Sequence, residues 1–178
     1  MFRASSRPSF WQRYKYLIPN LMTTVRLLLI IPFMFFVNNG DHVSASITAL
    51  VAILSDVDGT VARKIGATSK FGALYDPLVD ATFIIVGLGI LVQKGEVWWL
   101  AVVAFLLAAL IKAIPQFFYF KRHKEVKSVI LSKTAGMIGF VAVIVGAWGV
   151  PMIVTTVLLG IGTVIYLLLG ILWIYQND

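Results

Sequence analysis

Four of the eight acidic residues in the chain, Asp56, Asp58, Asp76 and Asp80, stand within or at the ends of two adjacent apolar stretches. A carboxylate near the middle of a bilayer costs about 2.5–3.5 kcal/mol on insertion scales, so four of them require a cation or a water-filled cavity nearby. Asp76 and Asp80 are four residues apart, which stacks them on one helix face at successive turns. Like charges so placed repel. A set of hard oxygen donors suits Mg²⁺, Mn²⁺ or Ca²⁺ better than zinc, and the chain has no cysteine to offer a thiolate. Arg63 adds a planar donor fork that matches a phosphate, and Gly59 and Gly72 let a ligand approach the backbone closely. Together these residues describe phosphoryl chemistry, in which a divalent cation bridges a diphosphate and stabilises its leaving group.

The elements that must position these groups are membrane spans. Hydrophobic residues make up 60% of the 178 positions and charged residues only 13%, against about 25% charged in a soluble domain. Apolar runs near the bilayer-crossing length of about 20 residues fall at Ile18 to Val37, Val43 to Ala62, Phe71 to Gln93, Val97 to Phe120, Val129 to Gly149 and Met152 to Ile174. The fold class expected is therefore all-α, a single polytopic membrane domain over 1–178 with six transmembrane helices. Residues 1–17 precede the first span. There Phe10, Trp11, Tyr14 and Leu17 share a helical face while Arg13 and Lys15 point elsewhere, as in an amphipathic helix lying in the headgroup layer.

The net charge of +7 would suggest nucleic acid in a soluble protein, but here the basic residues sit in short segments between apolar runs. Arg3, Arg7, Arg13 and Lys15 precede the first span, Arg63, Lys64 and Lys70 join the second to the third, and Lys121, Arg122, Lys124 and Lys127 join the fourth to the fifth. This pattern reports topology and contact with anionic lipid: those segments face the cytoplasm, and so do both termini. A seven-residue loop after the second span lets Asp58 approach Asp76 and Asp80, so the pocket should open at the inner surface. Pro77 cannot donate to the carbonyl of Ala73, and a kink or exposed carbonyl is expected there. Gly136, Gly139, Gly146, Gly160, Gly162 and Gly170 are read as packing positions that let helices approach.

The segment SDVDGTVARKIGATSKFGALYDPLVD resembles the signature of the CDP-alcohol phosphatidyltransferases: D, two residues, DG, two residues, AR, about eight residues, G, three residues, D, three residues, D. Asp58, Gly59, Ala62, Arg63, Gly72, Asp76 and Asp80 match. The first aspartate does not, because Ser55 stands three before Asp58 and Asp56 is one residue late. Either Ser55 replaces a ligand, or the helix is locally rewound to bring Asp56 in. A second segment, PNLMTTVRLLLIIP, is similar to the first span of phosphatidylglycerophosphate and cardiolipin synthases. Its Asn20, Thr23 and Arg26 share a helical face. An arginine inside a span needs an anion or a cavity, so Arg26 either meets a phosphate or snorkels to the headgroups. Lys112 and Lys133 lie inside or at the edge of apolar runs and are candidates for the phosphate of an acceptor; Lys133 resembles a lysine at the start of the fifth span in those synthases.

The resemblance implies phospholipid biosynthesis at a bacterial cell membrane. A phosphatidyl group passes from CDP-diacylglycerol to an alcohol and CMP is released, with two divalent ions, Mg²⁺ or Mn²⁺, on the diphosphate. It implies that Asp58 and Asp76, with Asp56 or Ser55, hold metal, and that Asp80 both holds metal and accepts the proton of the acceptor hydroxyl. Gly59, Ala62, Arg63 and Gly72 shape the nucleotide site, and the protein is a homodimer. Glycerol 3-phosphate is the first acceptor expected, with phosphatidylglycerol or an inositol phosphate as alternatives. Three other readings stand beside it: a cation transporter lined by the intramembrane acids, a homologue that binds nucleotide or lipid with impaired catalysis, and acids that merely pair with Arg63, Lys64 and Lys70 to hold two helices together.

Overall fold

The computed structural model describes residues 17–64, 70–123 and 130–177, with side chains described over 21–55, 75–114 and 136–172. The chain there is all-α: α1 Leu17–Leu28, α2 Ile30–Asn38, α3 His42–Lys64, α4 Lys70–Gln93, α5 Trp99–His123, α6 Ile130–Ala147 and α7 Met152–Asn177. The juxtamembrane helix expected before the first span lies outside the described residues. α1 and α2 form one interrupted rod. Pro32 has no N–H for the carbonyl of Leu28 and its ring crowds that carbonyl, so the helix breaks at Leu29. Bonds from Leu29 to Val25 and from Phe33 to Leu29, 3.0 and 3.1 Å long, carry the ladder across the break. Pro77, by contrast, leaves α4 continuous.

The molecule is a membrane-embedded helical bundle, with large apolar side chains such as Leu21, Ile31, Leu78, Leu110, Ile153 and Ile171 turned outward. Hydrocarbon is the solvent that makes such a surface stable. Among the described residues three stretches are long and apolar enough to cross a bilayer, Leu21–Asn38, Tyr75–Gln93 and Met152–Leu172, rather than six. The apolar parts described for α3, α5 and α6 are shorter: His42–Ser55, Trp99–Ile114 and Gly136–Ala147. In each of these helices the described side chains end at the same residue, 55, 114 or 136.

The core is built by close approach. α1 packs against α3 and α4, α3 against α6, and α5 and α6 against α7. Ala45, Ala49 and Ala52 recur on one face of α3 and are fully buried, so small side chains line the seam where helices meet. Phe33 of α2, Phe83 of α4 and Phe140 of α6 form a ring ladder with centroids 5.6 and 5.5 Å apart. Three glycines serve packing as expected: a Cβ on Gly139 would meet Phe105 and Ile84 at 3.1 Å, one on Gly146 would meet Leu91 at 2.8 Å, and one on Gly162 would meet Phe105 at 2.8 Å. Around Gly136 and Gly160 no described residue lies within 4 Å of a Cβ built there.

Tight turns close one end of the bundle. Gly40 and Gly95 adopt φ of 72° and 76°, which only glycine enters without strain. Each lets the next N–H turn back onto the helix just ended, Asp41 to Phe36 at 3.0 Å and Glu96 to Leu91 at 2.9 Å. Asp41 then caps α3 by accepting from the Ser44 N–H at 3.0 Å, and hydrogen bonding from the Ser44 hydroxyl, and next from its N–H, holds the carboxyl below the ordinary aspartate value. His42 Nδ1 donates to the Ala147 carbonyl at 3.0 Å, joining this turn to the end of α6. Trp98, Trp99 and Trp148 are exposed beside these turns, as aromatic residues are at a membrane interface.

Candidate active site

About 20 Å along α4 from those turns, at 1.5 Å per residue, three helices bring polar side chains together. Helical spacing selects them. Thr23 and Arg26 are three apart on α1, Ala52 and Ser55 three apart on α3, and Asp76 and Asp80 four apart on α4, so each pair presents one face to the others. Arg26 is at the centre and is only 1% exposed. Its Nε donates to the Ala52 carbonyl at 3.0 Å and to Ser55 Oγ at 3.2 Å. Its Nη1 lies 3.4 Å from Asp76 Oδ1 and also forms an ion pair with Asp80 Oδ1.

The surrounding hydroxyls complete the group. Thr23 Oγ1 donates to Asp76 Oδ1 at 3.3 Å, Ser55 Oγ donates to the Ala52 carbonyl at 2.7 Å, and Thr24 and Tyr75 share a hydrogen bond of 3.3 Å. The guanidinium is buried while the acids are partly open, with Asp76 15% and Asp80 29% exposed. A ligand therefore reaches the carboxylates before it reaches the arginine. Two carboxylates and a threonine hydroxyl form a hard-oxygen donor set that fits Mg²⁺ or Mn²⁺ in type. Among the described residues no third acid, histidine or cysteine joins them.

Arg26 does not snorkel to the headgroups. It turns inward and meets acids of α4. Sequence reasoning placed Arg26, Asp76 and Asp80 in the site but missed that they pair with one another. The available signal was that an arginine within one span and two acids within another relieve each other's burial most cheaply when the helices are neighbours. α3 is regular α-helix through Ser55 and Asp56, so the local rewinding considered for Asp56 is not found. Ser55 is itself buried and engaged with Arg26.

The other expected site residues are placed only by their helices. Asp56, Asp58, Gly59, Ala62 and Arg63 lie on α3, Gly72 on α4, Asn20 on α1 and Lys133 on α6, and their side chains lie outside the described ones. Lys112 on α5 is 6% exposed, with Nζ 5.2 Å from the ring centroid of Tyr166 on α7. Tyr166 in turn packs against Phe105, ring centroids 5.2 Å apart.

Comparison with known proteins adds the family. The chain is 33% identical over 90 residues to the CDP-diacylglycerol–glycerol-3-phosphate 3-phosphatidyltransferase of Wigglesworthia glossinidia brevipalpis, covering 48% of this chain and 49% of that one. It is 37% identical over 86 residues to the protein of the same name in Pseudomonas fluorescens, covering 46% and 44%. For Salmonella choleraesuis the figures are 32% over 92 residues, with 49% and 50% covered. The chain thus spans about half the length of the curated relatives it matches. A profile described as CDP-alcohol phosphatidyltransferase matches residues 16–172, which include α1 through most of α7 and every polar side chain around Arg26. By that match the chain belongs to the CDP-alcohol phosphatidyltransferase family.

Proposed function

We propose that the protein transfers a phosphatidyl group from CDP-diacylglycerol to the hydroxyl of glycerol 3-phosphate and releases CMP. The observation that carries this reading is the partly open pair Asp76 and Asp80, set beside Thr23 and Arg26 on the helices that hold the motif. The acceptor oxygen attacks the phosphorus next to the diacylglycerol, the bond from that phosphorus to the CMP oxygen breaks, and the hydroxyl proton passes to Asp80. Asp76 and Asp80, with Asp58 from α3, would hold Mg²⁺ or Mn²⁺, which when bound would neutralise charge on the diphosphate and on departing CMP. Asp80 suits the role of base because a carboxylate on a water-accessible edge can take up a proton and release it again. Gly59, Ala62, Arg63 and Gly72 shape the nucleotide pocket, and Asn20 and Lys133 contact substrate from α1 and α6.

The choice of glycerol 3-phosphate follows the names of the relatives and the first-span pattern at Asn20, Thr23 and Arg26. Six membrane crossings, with α1 and α2 acting as one, place the basic segments and this site at the cytoplasmic surface. Two chains assemble as a homodimer. The full chain in detergent, given CDP-diacylglycerol and labelled glycerol 3-phosphate, should release CMP only with Mg²⁺ or Mn²⁺. Asp80→Asn should abolish that release, and undiminished turnover in this variant would refute the assignment of the base.

A second reading is favoured by Ser55, which engages Arg26 at the position where the motif has a carboxylate. In it the protein binds CDP-diacylglycerol and turns it over poorly. Calorimetric binding of the nucleotide lipid without CMP release would decide for this reading.

A further inference from the structure

Arg26 is held from two sides. α3 takes its Nε through Ala52 and Ser55, and α4 takes its Nη1 through Oδ1 of Asp76 and Oδ1 of Asp80. Among the described residues one positive charge serves two carboxylates. The proposed reaction asks the same carboxylates to hold a divalent cation and, at Asp80, to accept a proton. An oxygen engaged with a guanidinium is a poorer donor to metal, because both cations draw on the same lone pairs and repel each other.

We infer that Arg26 is an exchangeable internal counter-ion, a positioning residue that keeps Asp76 and Asp80 aligned before the divalent cation arrives and yields Asp80 when it does. Burial gives the reason. With Arg26 at 1% exposure, its charge cannot escape to water, so it remains beside the acids until a stronger cation replaces it. Ser55 is the second half of the device. Its neutral hydroxyl accepts from Nε at 3.2 Å and so anchors the stem of the guanidinium on α3 without adding a third negative charge. Nη1 can then leave Asp80 while Nε stays bound. The competition between Arg26 and the metal sets the apparent metal affinity, and Ser55 biases that competition. This inference rests on the proposed phosphatidyl transfer.

The test is Mn²⁺ binding to the full chain in detergent, followed by loss of the free-ion electron paramagnetic resonance signal with no substrate present. Arg26→Gln removes the competing charge and should tighten Mn²⁺ binding about tenfold or more, the scale on which a neighbouring charge acts on a carboxylate. Arg26→Lys keeps the cation and should stay near wild type, and Ser55→Ala, which removes the anchor that lets Nη1 leave Asp80, should weaken binding. A purely structural role for Arg26 predicts the opposite, weaker binding in Arg26→Gln. Unchanged or weaker Mn²⁺ affinity in Arg26→Gln overturns the inference. Should that variant fail to fold, Ser55→Ala decides, and an affinity equal to or tighter than wild type overturns it. Mn²⁺ bound equally by all variants sinks the inference alone, whereas Mn²⁺ bound by none of them sinks it together with the metal part of the proposed reaction.

Discussion

Removing Arg26 should destabilise the bundle more than removing Asp80, although both changes delete the same ion pair. The described group holds one guanidinium against two carboxylates. At 3.4 Å the attraction between Arg26 and Asp76 is about 5 kcal/mol with an effective dielectric constant of about 20, much of it offset by the desolvation of both groups. Arg26→Gln leaves two acids one helical turn apart without the guanidinium, and breaking a buried pair from one side costs about 3–5 kcal/mol. Asp80→Asn leaves Arg26 opposite Asp76, one charge against one, and should cost only about 1.5–3 kcal/mol, the worth of a hydrogen bond to a charged group. Adding Asp80→Asn to Arg26→Gln removes half of the charge left behind and should restore about 1–3 kcal/mol. Unfolding of the full chain by dodecyl sulfate in mixed micelles, in the presence of a chelator, measures all three. If Asp80→Asn costs as much as Arg26→Gln, or the double variant is no more stable than Arg26→Gln, the charge accounting at this site is wrong.

Two further outcomes follow from the packing and the turns. Gly146→Ala places a methyl 2.8 Å from Leu91 Cδ1 and should cost about 1–3 kcal/mol by overpacking; because that methyl is the group met, most of the cost should vanish in a Leu91→Val background, and equal costs in both backgrounds on thermal unfolding would contradict the contact. Asp41, whose carboxyl Ser44 holds below the ordinary value, keeps its charge to lower pH folded than unfolded, so its contribution is complete above about pH 4 and is lost as the pH falls further. Asp41→Ala should flatten that part of the acid unfolding curve, and parallel curves for the variant and wild type would exclude the cap.

Spacing made much of the site legible. Asp76 and Asp80 declare a shared helix face by their separation, and Thr23 and Arg26 do the same on the first span, because within one helix the geometry is fixed at 3.6 residues per turn. Which helix faces which is a property of packing, and no periodicity carries it. Arg26 was therefore legible as a buried cation in need of an anion, while its anion, on α4, was not. The glycines show the same division: among the described residues Gly139, Gly146 and Gly162 admit neighbours and Gly136 and Gly160 do not, though the residue type is identical. The break at Leu29 was likewise encoded, in Pro32, but an apolar run reads the same with or without it.

The partners of Arg26 also differ in when they are made. Ala52 and Ser55 follow it by 26 and 29 residues, and Asp76 and Asp80 by 50 and 54. At about 5–20 residues per second the acids leave the ribosome some 3–10 s after the arginine they neutralise. A charged side chain thus enters the bilayer on the first helical hairpin before its counter-charges exist. Through that interval the Ala52 carbonyl and the Ser55 hydroxyl are the first of these partners to arrive, and the seating of α4 beside α1 is the event that brings the acids to the arginine.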